Sequence, residues 1–180
     1  MDVPVFKRWR RLDEPGLEVL RITREGSGWL ASSCLAFGGE PSFGLRYDWR
    51  LDADWRTRSL QLEIMSEVDR TLSVERTGTT TWRVNGEHRA ELDGCDELDV
   101  SATPFCNALA IRRLQESAGE ITALYIPVPD LALTPSRQRY ERRGDKWRYI
   151  DLGAVKGFEA DLELDRDGFV RRYEGLFEAV

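Results

Sequence analysis

Two stretches of the chain set charged side chains among apolar ones in patterns that could do chemistry. The first, Leu92 to Leu114, reads LDGCDELDVSATPFCNALAIRRL and carries Asp93, Asp96, Glu97 and Asp99 ahead of the adjacent arginines Arg112 and Arg113. The second, Asp52 to Ile64, reads DADWRTRSLQLEI and holds Asp54, Trp55, Arg56 and Arg58. Charge among apolar neighbours costs free energy unless it is paired. Asp99 and the four arginines are therefore expected to form one partly buried ionic network, either a ligand site or a structural clamp. Guanidinium forks hold an anionic head group bidentately, so an arginine pair inside a curved sheet would suit such a ligand. Strand alternation alone favours the plainer reading, with Asp54, Arg56 and Arg58 on one solvated face and Trp55 and Thr57 on the other. Side-by-side ion pairs there would be worth well under ~1 kcal/mol each.

Other catalytic chemistry finds little support. The single histidine, His88, sits beside an Asn85-Gly86 turn, which argues against a Ser-His-Asp or Cys-His nucleophile. Cys34, Cys95 and Cys106 are odd in number and contain no CxxC pair, so neither a disulfide framework nor a Cys/His metal site is expected. They read as free, mostly buried thiols in a reducing compartment. The glycines, Gly38-Gly39 included, lack the spacing of a phosphate or dinucleotide loop. The carboxylate runs at 93–99 and 159–163 read as wet strand faces rather than glycosidase pairs. No metal or cofactor is expected. RQRYERRGDKWR, at 137–148, is basic and aromatic and reads as an exposed hairpin. The net charge of −6 disfavours nucleic acid as a partner.

The elements that must position these residues are strands. Tyr47, Trp49 and Leu51 alternate with Asp48, Arg50 and Asp52, and Leu60, Leu62 and Ile64 alternate with Gln61 and Glu63. The same period recurs at Leu72 and Val74, at Trp82 and Val84, and from Phe158 to Leu164, as half-buried antiparallel strands require. Asn85-Gly86 predicts a two-residue hairpin between strands that include Trp82–Val84 and His88–Leu92. Further turns are expected at Gly26-Ser27-Gly28, Glu40-Pro41-Ser42, Arg143-Gly144-Asp145 and Asp165-Arg166-Asp167-Gly168. The one helix start is Thr103 as N-cap with Pro104 at the first helical position, and 111–114 could continue the helix or open a strand. One domain, 1–180, is expected, mainly β: a single antiparallel sheet, strongly curved or closed, with one short helix. Most of the six tryptophans should be core packing. No apolar run approaches the ~20 residues of a membrane span, and no apolar segment follows the basic N-terminal residues. A cytoplasmic chain without stable membrane insertion is therefore expected.

At these same residues the chain resembles the bacterial putative glycolipid-binding proteins. The resemblance is carried by WRRLDEPGLEVLRI, YDWRLDADWRTRSLQLEI, LDGCDELDVSATPFCNALAIRRL and GFEADLELDRDGFVRRYEGLFEAV, which span nearly the whole chain in the family's order. It implies a spiral β-roll or half-open barrel similar to lipoprotein carriers, whose cavity holds acyl chains. Ala108 and Ala110 stand where the family often has Thr and Pro, so a more helical backbone is expected there. The function expected is non-catalytic binding of a glycolipid or other amphiphilic small molecule. The expected ligand set is Trp55, Arg56, Arg58, Trp82, Asp99, Asn107, Arg112 and Arg113. The tail would lie on Leu60, Leu62, Ile64 and Trp82, and Asp99 would be the arginines' counter-charge. Two alternatives are a cofactor-independent enzyme in the same cavity and a structural or regulatory barrel filled by its own side chains.

Overall fold

In the computed structural model, which describes residues 3–115 and 117–180, the alternating segments become fifteen strands of one sheet. The first eight are β1 (Val5–Arg11), β2 (Gly16–Glu25), β3 (Gly28–Phe37), β4 (Phe43–Leu51), β5 (Thr57–Met65), β6 (Arg70–Arg76), β7 (Trp82–Val84) and β8 (Glu87–His88). After β9 (Glu97–Val100) comes the helix α1 (Phe105–Arg113). The second meander follows: β10 (Gly119–Ile126), β11 (Thr134–Arg143), β12 (Lys146–Asp151), β13 (Glu159–Leu164), β14 (Val170–Tyr173) and β15 (Phe177–Ala179).

Each meander is antiparallel, and pairing of β1 with β15 joins them, leaving β8 and β9 as the two edges. β9 alone pairs in parallel, with β10. This order dictates the shape. Fifteen strands laid flat would hold their edges roughly 65 Å apart at the usual strand spacing. The edges are joined by residues 89–96, eight residues that reach at most about 28 Å fully extended. The sheet must therefore roll until β8 and β9 approach each other. It does not close into a barrel, because no ladder joins the edges. Side chains and loop amides close the seam instead. Arg76 donates to the Thr57 and Asp96 carbonyls (2.7 and 2.8 Å) and lies 3.5 Å from the Glu97 carboxylate. Glu97 also accepts the Thr57 N–H at 3.1 Å, and the Trp82 indole donates to the Cys95 carbonyl at 3.0 Å.

The roll's interior is occupied. In α1 every residue from Phe105 to Ile111 is buried, so the helix is enclosed all round rather than amphipathic. Phe105 packs edge-on to Trp49 (centroids 5.4 Å apart) and against Phe169 (6.2 Å). Trp9, Trp49, Trp82 and Trp147 are fully buried, as expected of core tryptophans. Leu60, Leu62, Ile64 and Trp82 belong to this core, although Ile64 also reaches a hollow against β2–β6.

Several local expectations hold and others need correction. Asn85 and Gly86 both have positive φ (50° and 83°), the geometry of a primed hairpin turn between β7 and β8. The second strand stops at His88, however, and Ala90–Leu92 form a 3₁₀ turn as the chain leaves the sheet edge. α1 begins one residue later than expected, with Pro104 flanking it and the Thr103 hydroxyl accepting the Phe105 N–H at 3.2 Å. Residues 111–113 continue the helix. Asp54, Trp55 and Arg56 do not lie on a strand. The Asp52 carboxylate accepts the Asp54 and Arg56 N–H groups (2.9 Å each), closing a turn that puts Trp55 at φ 62°, and the strand starts only at Thr57. A side-chain acceptor in place of the ladder is what alternation could not register.

Candidate functional site

One pocket of about 170 Å³ opens beside the N-terminal half of α1. β9 supplies Asp99, α1 supplies Cys106 and Asn107, β10 supplies Tyr125, and β12 supplies Tyr149 and Asp151. The parallel pairing of β9 with β10 sets Asp99 directly opposite Tyr125. Trp147, Tyr149 and Asp151 alternate onto the inner face of β12, so an acid occupies the position where the pattern would continue with an apolar residue. The mouth is apolar, with Val155 exposed and Phe158 and Leu176 half-buried. Tyr149, Phe158, Tyr173 and Phe177 form a continuous aromatic wall, with successive centroids 6.1–6.3 Å apart.

The polar floor is tied together by hydrogen bonds. Asp99 accepts from the Cys106 thiol (3.0 Å) and from the Gln138 amide. The Asn107 amide donates to the Tyr140 hydroxyl, which donates onward to Gln138 (3.2 Å each). The buried Asp151 carboxylate accepts the Tyr149 hydroxyl (3.1 Å) and the N–H groups of Gly153 (2.7 Å) and Val155 (3.2 Å). Burial pushes the Asp99 carboxyl above its ordinary value; the bonds from Cys106 and Gln138 oppose this, and the charge of Asp151 adds to it. Burial, then the charge of Asp99, pushes Tyr125, Tyr140, Tyr149 and Tyr173 up, so all four remain neutral hydroxyls. The same two causes raise the Cys106 thiol, which makes it a donor to Asp99 rather than a nucleophile.

A second polar chain runs behind the pocket. Glu18 is buried on β2 and accepts from Ser33 and Tyr47 (2.7 Å each), and the Tyr47 hydroxyl lies 3.4 Å from that of Thr103. Burial raises Glu18 to about 6 against the pull of these bonds.

The eight residues singled out from the sequence fall into separate places. Trp55, Arg56, Arg112 and Arg113 surround a second hollow of about 320 Å³ at the other end of α1, with Asp54, Leu109 and Gln115. Arg58 lines a neighbouring surface recess with Asp52, Arg56 and Arg76, so Arg56 borders both hollows. Asp99 and Asn107 belong to the aromatic pocket, and Trp82 is sealed in the core. The single network of Asp99 with the arginines is thus not formed. Asp99 is held by Cys106 and Gln138, and the buried pair that does exist, Arg76 with Glu97, closes the seam. Sequence reasoning missed Tyr149, Asp151, Phe158 and Tyr173. The acid continuing the Trp147–Tyr149 alternation was a usable signal for Asp151. Nothing local marks Tyr173, which only the return of β14 brings into place.

Other features bear on function. A third hollow, about 660 Å³, lies against β2–β6, lined by exposed Leu17, Cys34, Ala36 and Met65 and by buried Leu35, Leu45 and Ile64 among others, and shares no lining residue with the aromatic pocket. Among the described residues no group of three or more His, Cys, Asp or Glu could hold a metal ion, and no helix is long and apolar enough to cross a membrane.

Residues 7–179 match the family model described as putative glycolipid-binding. The chain belongs to that family. It is also similar to a DUF1089 family protein from Pseudomonas aeruginosa whose crystal structure is known. The two are 33% identical over 92% of each chain, with a TM-score of 0.80. No curated protein matches the chain. This chain and that protein share the mainly β fold described above, and the family's description suggests glycolipid binding.

Proposed function

We propose that this family member binds, without turnover, the sugar head of a glycolipid or related amphiphile in the aromatic pocket above Asp99 and Asp151. The observation that carries the reading is the pairing of two carboxylates with a wall of tyrosine and phenylalanine rings in one hollow. A pyranose ring offers C–H faces that pack on aromatic rings and hydroxyls that donate to carboxylates, and bonds to charged acceptors are the stronger kind. Asp99 and Asp151 each keep acceptor lone pairs beyond those their internal donors use. The volume, about 170 Å³, lies below the roughly 300–1,000 Å³ of pockets that enclose drug-sized ligands. It suits a sugar ring, while the tail leaves past Val155, Phe158 and Leu176.

The test is saturation-transfer NMR with octyl glucoside below its micellar concentration. Strong transfer to the sugar protons, reduced in Phe158→Ala and Asp99→Asn, is the expected result. Transfer to the octyl chain alone, or transfer equal in wild type and variants, would refute this placement of the ligand. Release of octanol on prolonged incubation would refute the non-catalytic reading.

A further inference from the structure

The arginine hollow at the C-terminal end of α1 shares no lining residue with the aromatic pocket and has a different chemistry. We propose that it binds a phosphate-class oxyanion, gripped by Arg56 and Arg113. Asp54 also lines the hollow, but among the described residues neither guanidinium forms an ion pair with it or with any other acid, and the Nε of Arg113 is buried with no hydrogen-bond partner. A desolvated guanidinium N–H without an acceptor is unfavourable, and an anion in the hollow would satisfy it. The two charges are also felt beyond the hollow. Burial lowers the Arg76 guanidinium, the charge of Glu97 opposes this, and the charges of Arg113 and Arg56 add to the lowering.

Arg112 has another task. Its guanidinium donates to the Asp167 carbonyl and lies over the rings of Trp55 (4.7 Å) and Phe169 (5.2 Å), bracing the wall of the hollow. Backbone geometry adds an independent sign. Trp55 lines the hollow with a positive φ of 62°, whereas Gln115, at 52°, follows the α1 C-cap, where left-handed geometry ordinarily ends a helix. A bulky residue in that region is strained, and such strain concentrates where a site must be held in shape.

Two planar forks with two full positive charges match a tetrahedral dianion, which can accept paired N–H bonds from each. The partial negative charge at the helix C-terminus opposes an anion, but it amounts to about half a charge against two whole ones. The phosphate could be free or carried on a lipid head group, and the chemistry of recognition is the same.

The experiment titrates inorganic phosphate into the full chain at constant ionic strength, following tryptophan emission, since Trp55 lines the hollow. Saturable change is expected. Arg56→Gln and Arg113→Gln should each weaken it about tenfold or more, as loss of a charge-assisted bidentate contact implies. Arg137→Gln, at an exposed arginine paired with Glu120, should leave it unchanged. Arg56 is exposed on a turn, so its variant tests the proposal even if Arg113→Gln loses stability. A second arm sediments the protein with phosphatidylcholine vesicles with and without phosphatidic acid. Binding that needs phosphatidic acid and Arg56 identifies a lipid phosphate, whereas saturation by inorganic phosphate alone identifies a soluble one. Either supports the site. The proposal falls if neither probe gives a saturable response, or if Arg56→Gln binds phosphate as wild type does.

Discussion

Glu18 should make the stability of this protein depend on pH in a direction opposite to that of most carboxylates. The group is 3% exposed, and one of its oxygens, Oε2, has no hydrogen-bond partner. Burial outweighs the bonds from Ser33 and Tyr47 and raises the carboxyl from 4.5 to about 6. A pKa raised by folding contributes stability that is fully present below the unfolded value and lost as pH rises through the folded one. At about 1.4 kcal/mol per pH unit, the rise from 4.5 to about 6 corresponds to roughly 2 kcal/mol lost between about pH 4 and pH 7. Glu18→Gln removes the titration. Whatever fixed penalty the amide brings in that site is the same at every pH and cancels from the slope. Urea titrations of wild type and variant, followed by tryptophan emission across this range, should show the variant gaining about 2 kcal/mol relative to wild type as pH rises. A difference constant within about 0.5 kcal/mol, or one of opposite sign, would mean that burial does not dominate at Glu18.

Two further outcomes are expected. Arg76→Met should cost about 3–5 kcal/mol in denaturant titration, because it leaves the 1%-exposed Glu97 charge without its partner; adding Glu97→Gln should restore a substantial part of this, and a null single mutant would show that the seam is closed by other contacts. In double-mutant cycles, Asp99→Asn and Gln138→Ala should couple by about 1 kcal/mol or more, while Asp99→Asn and Arg112→Ala should add to within about 0.5 kcal/mol.

The parts of the fold legible in the sequence are those that local chemistry determines. Leu60, Leu62 and Ile64 had to share a face, and Asn85-Gly86 could take the positive φ values its turn needs. Gly144 and Gly168, at φ 65° and 79°, likewise turn the chain where their neighbours' alternation breaks. The pairing of β1 with β15 was not legible, since nothing in either segment names a partner more than 160 residues away. Neither was the exit of Asp52–Arg56 from the sheet, where one carboxylate replaces ladder bonds. The arginines illustrate a different limit. Charge among apolar residues implied an Asp99–arginine network that does not form, because pairing depends on which loop lies opposite. Across the seam Glu97 met Arg76, and Asp99, two residues on along the same strand, met Gln138 and a thiol.

The carrier-like interior that the sequence resemblance implies is not what this fold supplies. An acyl chain needs a hollow roll, and here the space between the curved faces is taken by α1 and by the tryptophans at 9, 49, 82 and 147. The helix excludes a long tail from the core, yet its two ends help to build the two polar hollows. Cys106 and Asn107 face the carboxylate pocket, and Leu109, Arg112 and Arg113 face the arginine hollow. Asn107 and Arg112 lie five residues, about 7.5 Å, apart along the helix, and the two hollows, braced by one buried element, share no lining residue. Their independence follows from this geometry. Phe158→Ala should alter sugar contact without changing the phosphate response, and Arg56→Gln should do the reverse. A single variant that abolished both while the chain stayed folded would show instead that the two hollows act as one site.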